Sequence, residues 1–597
     1  MKNLLNFIRP FEVSFLPFRK DIRKYSLMKF KADLFSAFLI ALLAIPQSIA
    51  YALLADLPSF VGLFTAIIGV IVAAVFGSSK HLVVGPSTAT AILLQTTIRY
   101  ILSRYFPDVQ GSEKDALSMQ LLMHIVLLVG VLQLILSRLN IGKILQFVSR
   151  SVVLGYFLGV VLTIYASQLF YFLGIPINSE PTTVLARLIV IVKNIQLVEV
   201  GSVFIGLLSL MGLWVCKRYL KRWPYPLIII ITTGSIAYFI NHYWIKNPDS
   251  TFYIWVLGDM PMTSGFTHSF FQFPINFSLF GKIFFSAIPL AFLAILEVYS
   301  ISRGLAARSG QYIRSNQEVY GLGLSNIVLG LFGGALPASG SASRSMMNFE
   351  NGGKTRFAAA FSGLIIAFLI LFLSSYIRWI PLASLAALLF TIVVGIVDFK
   401  QVKLCLRASK GDLFAFIITF LSCLFLNLNL AFFIGIAISL IFFLQKVAKL
   451  ELVEYAFAST GRLKIVPKRK RKYCNIRIIG IKGEMFFAAV DIFQNTVKEI
   501  AKEPNVKVII LRLNGVSHID ASACFAILNL EEYLETTKRH LVLSGVSEEV
   551  WKTMQKTKVI NKLTEDNIFL GDEINPQHST WLAFLRAKII LGKKEDY

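Results

Sequence analysis

The sequence predicts a polytopic α-helical membrane protein, about 14 transmembrane helices in a 7+7 inverted repeat, followed by a cytoplasmic α/β domain. Three observations predict it. The chain of 597 residues is 56% hydrophobic and only 16% charged, whereas about 25% of a typical soluble chain is charged. Asp, Glu, Lys and Arg are missing altogether from 34–55, 357–377 and 413–445. The first two runs can each cross a hydrocarbon core of about 30 Å at about 1.5 Å per residue. The third is long enough for two crossings, with a turn near Asn427 and Asn429. Beyond Lys446 the composition becomes that of a soluble domain.

Taken in order, the spans fall at 33–55, 60–77, 80–100, 117–139, 147–174, 199–219, 224–244, 279–304, 318–333, 337–350, 355–378, 380–397, 410–427 and 429–448. The segment 182–195 carries Arg187 and Lys193, is too short and polar to cross, and reads as a helix lying in the interface. An even number of spans puts both termini on one side. Arg19, Lys20, Arg23, Lys24, Lys29 and Lys31 precede the first span, and Lys217, Arg218, Lys221 and Arg222 follow the sixth. Arg303, Arg308 and Arg314 follow the eighth, and Lys400, Lys403, Arg407 and Lys410 the twelfth. All of these clusters fall on one face, which the positive-inside rule makes the cytoplasm. The opposite loops are poorer in Lys and Arg, although Arg99, Arg104 and Lys114 sit there. The expected organisation is a cytoplasmic segment 1–32, a transmembrane domain 33–450, and a cytoplasmic domain with its tail at 455–597. Such a chain belongs in the cell (inner) membrane, multi-pass, with both termini cytoplasmic.

The net charge of +25 does not make this a nucleic-acid binder, because the basic residues cluster in short segments between apolar runs. Cys216, Cys405, Cys423, Cys474 and Cys524 show no paired spacing, so neither a disulfide framework nor a metal site is expected. No cofactor is expected either. The polar, basic stretch before the first span, with no small-residue cleavage site close behind it, does not read as a signal peptide. In the tail, 475–481 alternates as a strand and 491–502 is an amphipathic helix. An apolar strand at 506–513, a helix at 521–536, a strand at 540–544 and a helix at 547–557 complete an α/β pattern.

Two short spans break helix rules in corresponding places. The third opens Val84-Gly85-Pro86-Ser87-Thr88-Ala89-Thr90, and the tenth opens Gly333-Gly334-Ala335-Leu336-Pro337-Ala338-Ser339-Gly340-Ser341. Lipid-exposed backbone does not tolerate such breaks; protein-buried backbone, or backbone lining a wet cavity, does. If both are half-helices starting near the midplane, they offer two positive dipole ends and free N–H groups to an anion. They are counterparts in an inverted repeat in which spans one to seven are answered by eight to fourteen. The competing reading is that Gly and Pro merely kink packed helices.

Arg344 ends an uncharged stretch that starts at Val319. Beside the tenth half-helix it adds positive field to the site; at a span end it would snorkel to water instead. Glu297 is the only acid deep inside an apolar span, and a carboxyl so placed can load and release a proton or hold a cation. Its alternative is a fixed pair with Arg303. In the first span, 44–51 breaks the helix at Pro46 and supplies the amide of Gln47 and the phenol of Tyr51. These can line an uncharged wall of the site or simply pack.

These residues resemble the SulP family of anion transporters, the sulfate-permease and prestin relatives. The family signature runs Pro, then Gly-Leu-Tyr, then Gly-Ser-Ser-Lys/Arg. Here Pro58, Gly62-Leu63-Phe64-Thr65 and Gly77-Ser78-Ser79-Lys80 stand in that order, followed by His81 and Val84-Gly85-Pro86. Phe64 stands where the family usually has Tyr, and Val61 at another usual aromatic position. Pro46-Gln47-Ser48-Ile49-Ala50-Tyr51, Asn316-Gln317-Glu318, Gly330-Leu331-Phe332-Gly333-Gly334, Ser343-Arg344-Ser345 and Gly352-Gly353-Lys354-Thr355 are further matches. The tail resembles the STAS domain of these transporters: Ile519-Asp520-Ala521-Ser522-Ala523 is similar to its Asp-Ser/Thr-Gly loop, with Ala523 replacing Gly. The resemblance implies core and gate domains, usually a homodimer, and an elevator-like motion with the anion held between the third and tenth spans. It implies Gln47, Tyr51, Ser87, Thr88, Ser343 and Arg344 as substrate-site residues; Ala89 and Ser341, in the two half-helix openings, join them as candidates, and Glu297, by its place in an apolar span, is the ion-coupling candidate. Ser522 and Asp520 become regulatory candidates, Ser522 at the position phosphorylated in related soluble domains.

The expected function is therefore not enzymatic. It is secondary active transport of an inorganic anion, with sulfate as the first candidate and H⁺ rather than Na⁺ as the coupling ion. The sequence contains no Walker motif to power a pump. Bicarbonate with Na⁺, or a C4-dicarboxylate, is the alternative substrate within transport. An anion channel and a membrane-anchored STAS signalling protein are the alternatives of another class. The expected partners are the anion, the coupling ion, the bilayer, a second copy of the chain and a cytoplasmic regulator at the STAS domain.

Overall fold

The structure is a computed structural model. It describes residues 14, 17–18, 22, 25–139, 149–176, 181, 183–219, 224–244, 252–259, 276–395, 397–447, 450–458, 462–466, 475–572 and 574–592. Arg19, Lys20, Arg23, Lys24, Lys221, Arg222 and Cys474, with most of 1–32, lie outside the described residues. The chain divides into two compact units, Met1–Ser439 and Leu440–Tyr597.

In the first unit, α1 (Leu27–Leu54) starts at Ser26, whose side chain accepts from the Lys29 amide, and carries Pro46 in its interior. Next comes α2 (Ser59–Phe76), with a π-helical turn at Thr65–Gly69. A two-residue strand β1 (Val84–Gly85) leads into α3 (Thr88–Tyr105). There follow α4 (Gly111–Arg138), α5 (Arg150–Leu173), α6 (Val184–Lys193), α7 (Val200–Tyr219) and α8 (Tyr225–Phe239). The second half repeats the order: α9 (Phe277–Ser309), α10 (Ser315–Phe332), the strand β2 (Ser339–Gly340), and α11 (Ala342–Glu350). It closes with α12 (Phe357–Ile377), α13 (Leu382–Val393), α14 (Phe399–Ala408), α15 (Lys410–Phe425) and α16 (Leu428–Val447). Eight of these helices are long and apolar enough to cross a membrane by themselves. Gly174, Gly310 and Gly333 terminate α5, α9 and α10 in the left-handed conformation.

Two features of the repeat differ from the sequence reading. The third and tenth spans do not begin as helix. They begin as strands that pair antiparallel, Val84 with Gly340 and Gly85 with Ser339. Residues 399–408, read as a basic connection, form the amphipathic α14, which answers α6 in the other half. α6 itself is not polar outside. Leu188, Ile189 and Val192 are exposed, while Arg187 points inward and is fully buried. A charged residue on a short helix is therefore no measure of that helix's surface.

The helices sort into two groups. α10 and α9 pack on α4, and α12 on α1 and α2, forming the core group with α3 and α11. α15 and α13 pack on α5, and α7 on α13 and α8, forming the gate group; α16 joins it through Phe432 against Tyr156 of α5 and Gly435 against Val152 and Thr419.

In the second unit a six-stranded sheet runs β4-β3-β5-β6-β7-β8. Its strands are β3 (Glu451–Phe457), β4 (Leu463–Ile465), β5 (Ile476–Lys482), β6 (Val508–Gly515), β7 (His540–Val546) and β8 (Ile568–Leu570). β5 to β8 are parallel, and β3 and β4 form an antiparallel edge. The helices are α17 (Val490–Ala501), α18 (Ala521–Thr536), α19 (Glu548–Lys556), α20 (Val559–Leu563) and α21 (His578–Ile590). Sequence reading missed β3, β4, β8, α20 and α21, which are short or flank the apolar pattern.

Glu531 on α18 is 6% exposed, and its Oε2 has no hydrogen-bond partner among the described residues. Burial, then the charge of Glu535, pushes its carboxyl up to about 7, against the opposing pull of Lys562. The folded state thus holds this proton more tightly than the unfolded chain does. The associated stability is complete below about pH 4.5 and is lost as pH rises through about 7. Glu531→Gln should remove that slope. The tail of the full-length variant should melt about 3 °C above wild type at pH 8 and level with it at pH 4.5. Equal melting of the two proteins at pH 8 would show that Glu531 carries no penalty.

Candidate functional site

The site begins with backbone. The β1–β2 pair leaves the chain at Ser87 and Ser341, from which α3 and α11 start. The Ser341 amide donates to Val83 O at 3.0 Å and the Val83 amide to Ser345 Oγ at 2.8 Å, so the first turn of α11 lies along β1. Ser87 caps α3, accepting from the Thr90 amide at 3.3 Å.

Arg344 is 1% exposed and donates from Nη2 to Pro86 O at 2.7 Å. It sits inside the protein, not at a snorkelling end. A Cβ at Gly85 would stand 2.7 Å from its guanidinium, so a side chain there would push the guanidinium out of this place. Arg344 Nε is buried with no hydrogen-bond partner among the described residues, and so is Gln47 Oε1. The Gln47 Nε2 donates to Ser343 Oγ at 3.4 Å. The Tyr51 hydroxyl lies near Thr88 and in the field of Arg344. Thr88 and Ala89 are buried in the first turn of α3, and Ser341 is buried at the start of α11, whereas Ser343 is exposed. Gln47 thus meets Ser343, and Arg344 reaches the backbone just before Ser87, while Ala89 and Ser341 lie in or beside the first turns of the same two helices.

Glu297, on α9, flanks the same strand pair. Its Oε2 accepts from Ser87 Oγ at 2.8 Å and from Ser339 Oγ. Arg303 is not its partner; it is exposed and lies over the Tyr299 ring at 4.5 Å. One carboxylate therefore touches the N-cap of α3 and the strand before α11. Ser339 was missed by sequence reading because only the antiparallel register brings it opposite Gly85.

Glu297 is not the only buried acid. Glu318 Oε1 accepts from the Ser78 and Ser79 amides at 2.7 and 2.6 Å and from Ser78 Oγ at 2.5 Å. Asp33 accepts from the Lys354 and Thr355 amides at 2.7 and 3.0 Å and from Thr355 Oγ1 at 2.5 Å. Signature residues 77–80 and 352–355 thus build polar clasps that tie α2 to α10 and α12 to α1. Both acids lie next to span ends in the sequence, where a carboxylate reads as solvated. A separate cavity of about 580 Å³ is lined by the far end of α3, from Gln95 to Ser103, and not by its first turn. Arg99, Lys114, Asp56 and Asp115 line it, so its charges cancel.

In the second unit Asp520 caps α18. Its Oδ1 accepts from the Ala523 amide at 2.8 Å and its Oδ2 from the Phe487 amide at 2.8 Å. Ser522 is half-buried in the first turn and makes no capping bond among the described residues.

The sequence profile of the sulfate permease family matches residues 30–419. The chain belongs to this family. A STAS domain profile matches residues 468–571. Sulfate transporter 4.1, chloroplastic, from Arabidopsis thaliana is 28% identical over 568 residues, 91% of this chain and 79% of that one. Sulfate transporter 1.1 of the same plant is 26% identical over 577 residues, covering 92% and 86%. The murine Solute Carrier 26 family member A9 anion transporter in its inward-facing state superposes with a TM-score of 0.84 at 22% identity, covering 99% and 95%. The fold is thus that of a multi-span anion transporter with a STAS domain, in a family of transporters and not of enzymes.

Proposed function

We propose that the protein is a secondary active transporter of an inorganic anion, sulfate first, driven by H⁺ through an elevator-type alternating access of the core group against the gate group. The observation that carries this reading is Arg344, buried between two facing helix starts and joined through Pro86 to the strand pair that Glu297 also holds. Two N-terminal dipoles and one guanidinium supply the field for an oxyanion, and the hydroxyls and the Gln47 amide supply its hydrogen bonds. Rotating that amide exchanges its donor and acceptor, so Gln47 can also donate. The plant relatives whose names specify sulfate support the substrate. Glu297 is the group that couples anion to proton. The protein works as a homodimer in the cell membrane with both termini cytoplasmic.

The test is counterflow of labelled sulfate into liposomes carrying the purified protein, competed with bicarbonate, fumarate and chloride. Saturable counterflow blocked best by sulfate is expected. Competition by bicarbonate with Na⁺ dependence, or by fumarate, would replace the substrate. Currents far above turnover-limited flux would make the protein a channel, and no flux at all would leave a STAS signalling anchor.

The STAS tail is regulatory or structural in this reading. The cap is already filled by Asp520, so a phosphate on Ser522 would stand beside that carboxylate and loosen the start of α18. Ser522→Ala should leave initial uptake unchanged, while Ser522→Glu should lower the melting point of the tail. A fall in uptake for the alanine variant would place Ser522 in the transport cycle itself.

A further inference from the structure

The half-helix α3 carries the site at its N-terminal end, and the gate group grips it farther along. Gln95 Oε1 accepts from Arg187 Nη2 at 3.1 Å. Arg187 is anchored in the gate group, donating from Nε to Pro181 O at 2.8 Å and from Nη1 to Thr163 O at 3.4 Å. Two residues on, Thr97 Oγ1 accepts from Asn429 Nδ2, at the start of α16, at 2.9 Å. All four side chains are buried. Residues two apart on a helix project about 200° from one another, so α3 is held from opposite faces. Thr88 and Gln95 are about 10 Å apart along the axis, so site and grip ride on one rigid rod.

We infer that Gln95–Arg187 and Thr97–Asn429 are a clasp that positions the binding half-helix against the gate group in the conformation seen here. The inference rests on the alternating-access reading above. If α3 carries the anion past the gate group, Gln95 and Thr97 must travel with it, and both bonds must break. A buried guanidinium that loses an acceptor pays for it in desolvation, which makes the clasp a brake on leaving this conformation. Its strength sets how the protein divides its time between the two states.

The reporter is Ser343→Cys in full-length protein whose native cysteines are replaced by serine. Ser343 is exposed here, so its labelling by a membrane-impermeant thiol reagent follows the population of this state. Gln95→Ala and Asn429→Ala should each slow labelling at least threefold. Gln95→Glu, which gives Arg187 a carboxylate, should speed labelling and slow uptake. A merely structural role would push Ala and Glu variants in the same direction. Unchanged labelling, or the same sign for both, overturns the clasp. The second measurement bridges Thr97→Cys to Asn429→Cys with a short bis-methanethiosulfonate linker, which forms a disulfide with each thiol. Bridging should stop sulfate counterflow until a reductant is added. Flux lost on bridging with labelling unchanged in the alanine variants would remove the clasp and keep alternating access. Flux that survives bridging would remove both.

Discussion

Arg344→Ala should weaken a monoanion about 30-fold and a dianion about 1000-fold, by the arithmetic of one unit charge against one or two. At roughly 8 Å and an effective dielectric constant of about 20, a unit pair is worth about 2 kcal/mol, and the dianion doubles it. The dependence on ligand charge matters more than either figure. Loss of the side chain also frees Pro86 O and leaves space beside Gly85, so a local collapse is the competing explanation. Collapse would lower affinity for both anions by one common factor. Arg344→Gln separates the two, because it fills much of the same space with a polar group that carries no charge. Binding of labelled sulfate and of a monovalent competitor to purified protein gives both numbers. Equal losses in the glutamine variant would leave Arg344 a structural prop, and no loss would take it out of the site.

The second large effect belongs to Glu297. Both of its serine partners donate to one oxygen. Glutamine offers an acceptor in the same place, so Glu297→Gln keeps the bonds to Ser87 and Ser339 while fixing the group in an uncharged form. The variant should lose accumulation against a gradient entirely, with the inside-to-outside ratio falling to unity, yet keep exchange of labelled for unlabelled anion. In wild type, acidifying the outside should raise uptake, and in the variant it should not. The experiment is uptake into liposomes with an imposed pH gradient, with and without Na⁺. A variant that still concentrates sulfate would end the coupling proposal. Wild-type uptake that follows Na⁺ and ignores pH would make Glu297 part of a cation site instead.

Much of the candidate site was legible in the sequence for a specific physical reason. A chain that must satisfy every backbone group in lipid cannot place Gly-Pro breaks in two short spans without a purpose. Pro86 and Pro337 therefore marked the spot, and Arg344 and Glu297 stood out because charge inside apolar runs is costly. The spans themselves were legible because a hydrocarbon core imposes length and composition on each. In the tail, the alternation at 475–481 and the apolar run at 506–513 announced strands, while β3 was hidden beside the last helix.

What the sequence could not carry is register and facing. Nothing in the order of residues says that Val84 lies opposite Gly340, yet that pairing brings Ser87 and Ser339 onto one oxygen of Glu297. Glu318 and Asp33 stand at span ends in the sequence, and only the fold closes backbone amides around them. Arg187 looked like the polar side of a surface helix, and the packing of α6 turned it inward to Gln95. Composition decided that this chain enters a membrane and where its helices break, because burial in lipid penalises each residue separately. Only the tertiary structure decided which charged groups meet, because that depends on pairs of residues far apart in the chain and on the rotation of each helix about its own axis.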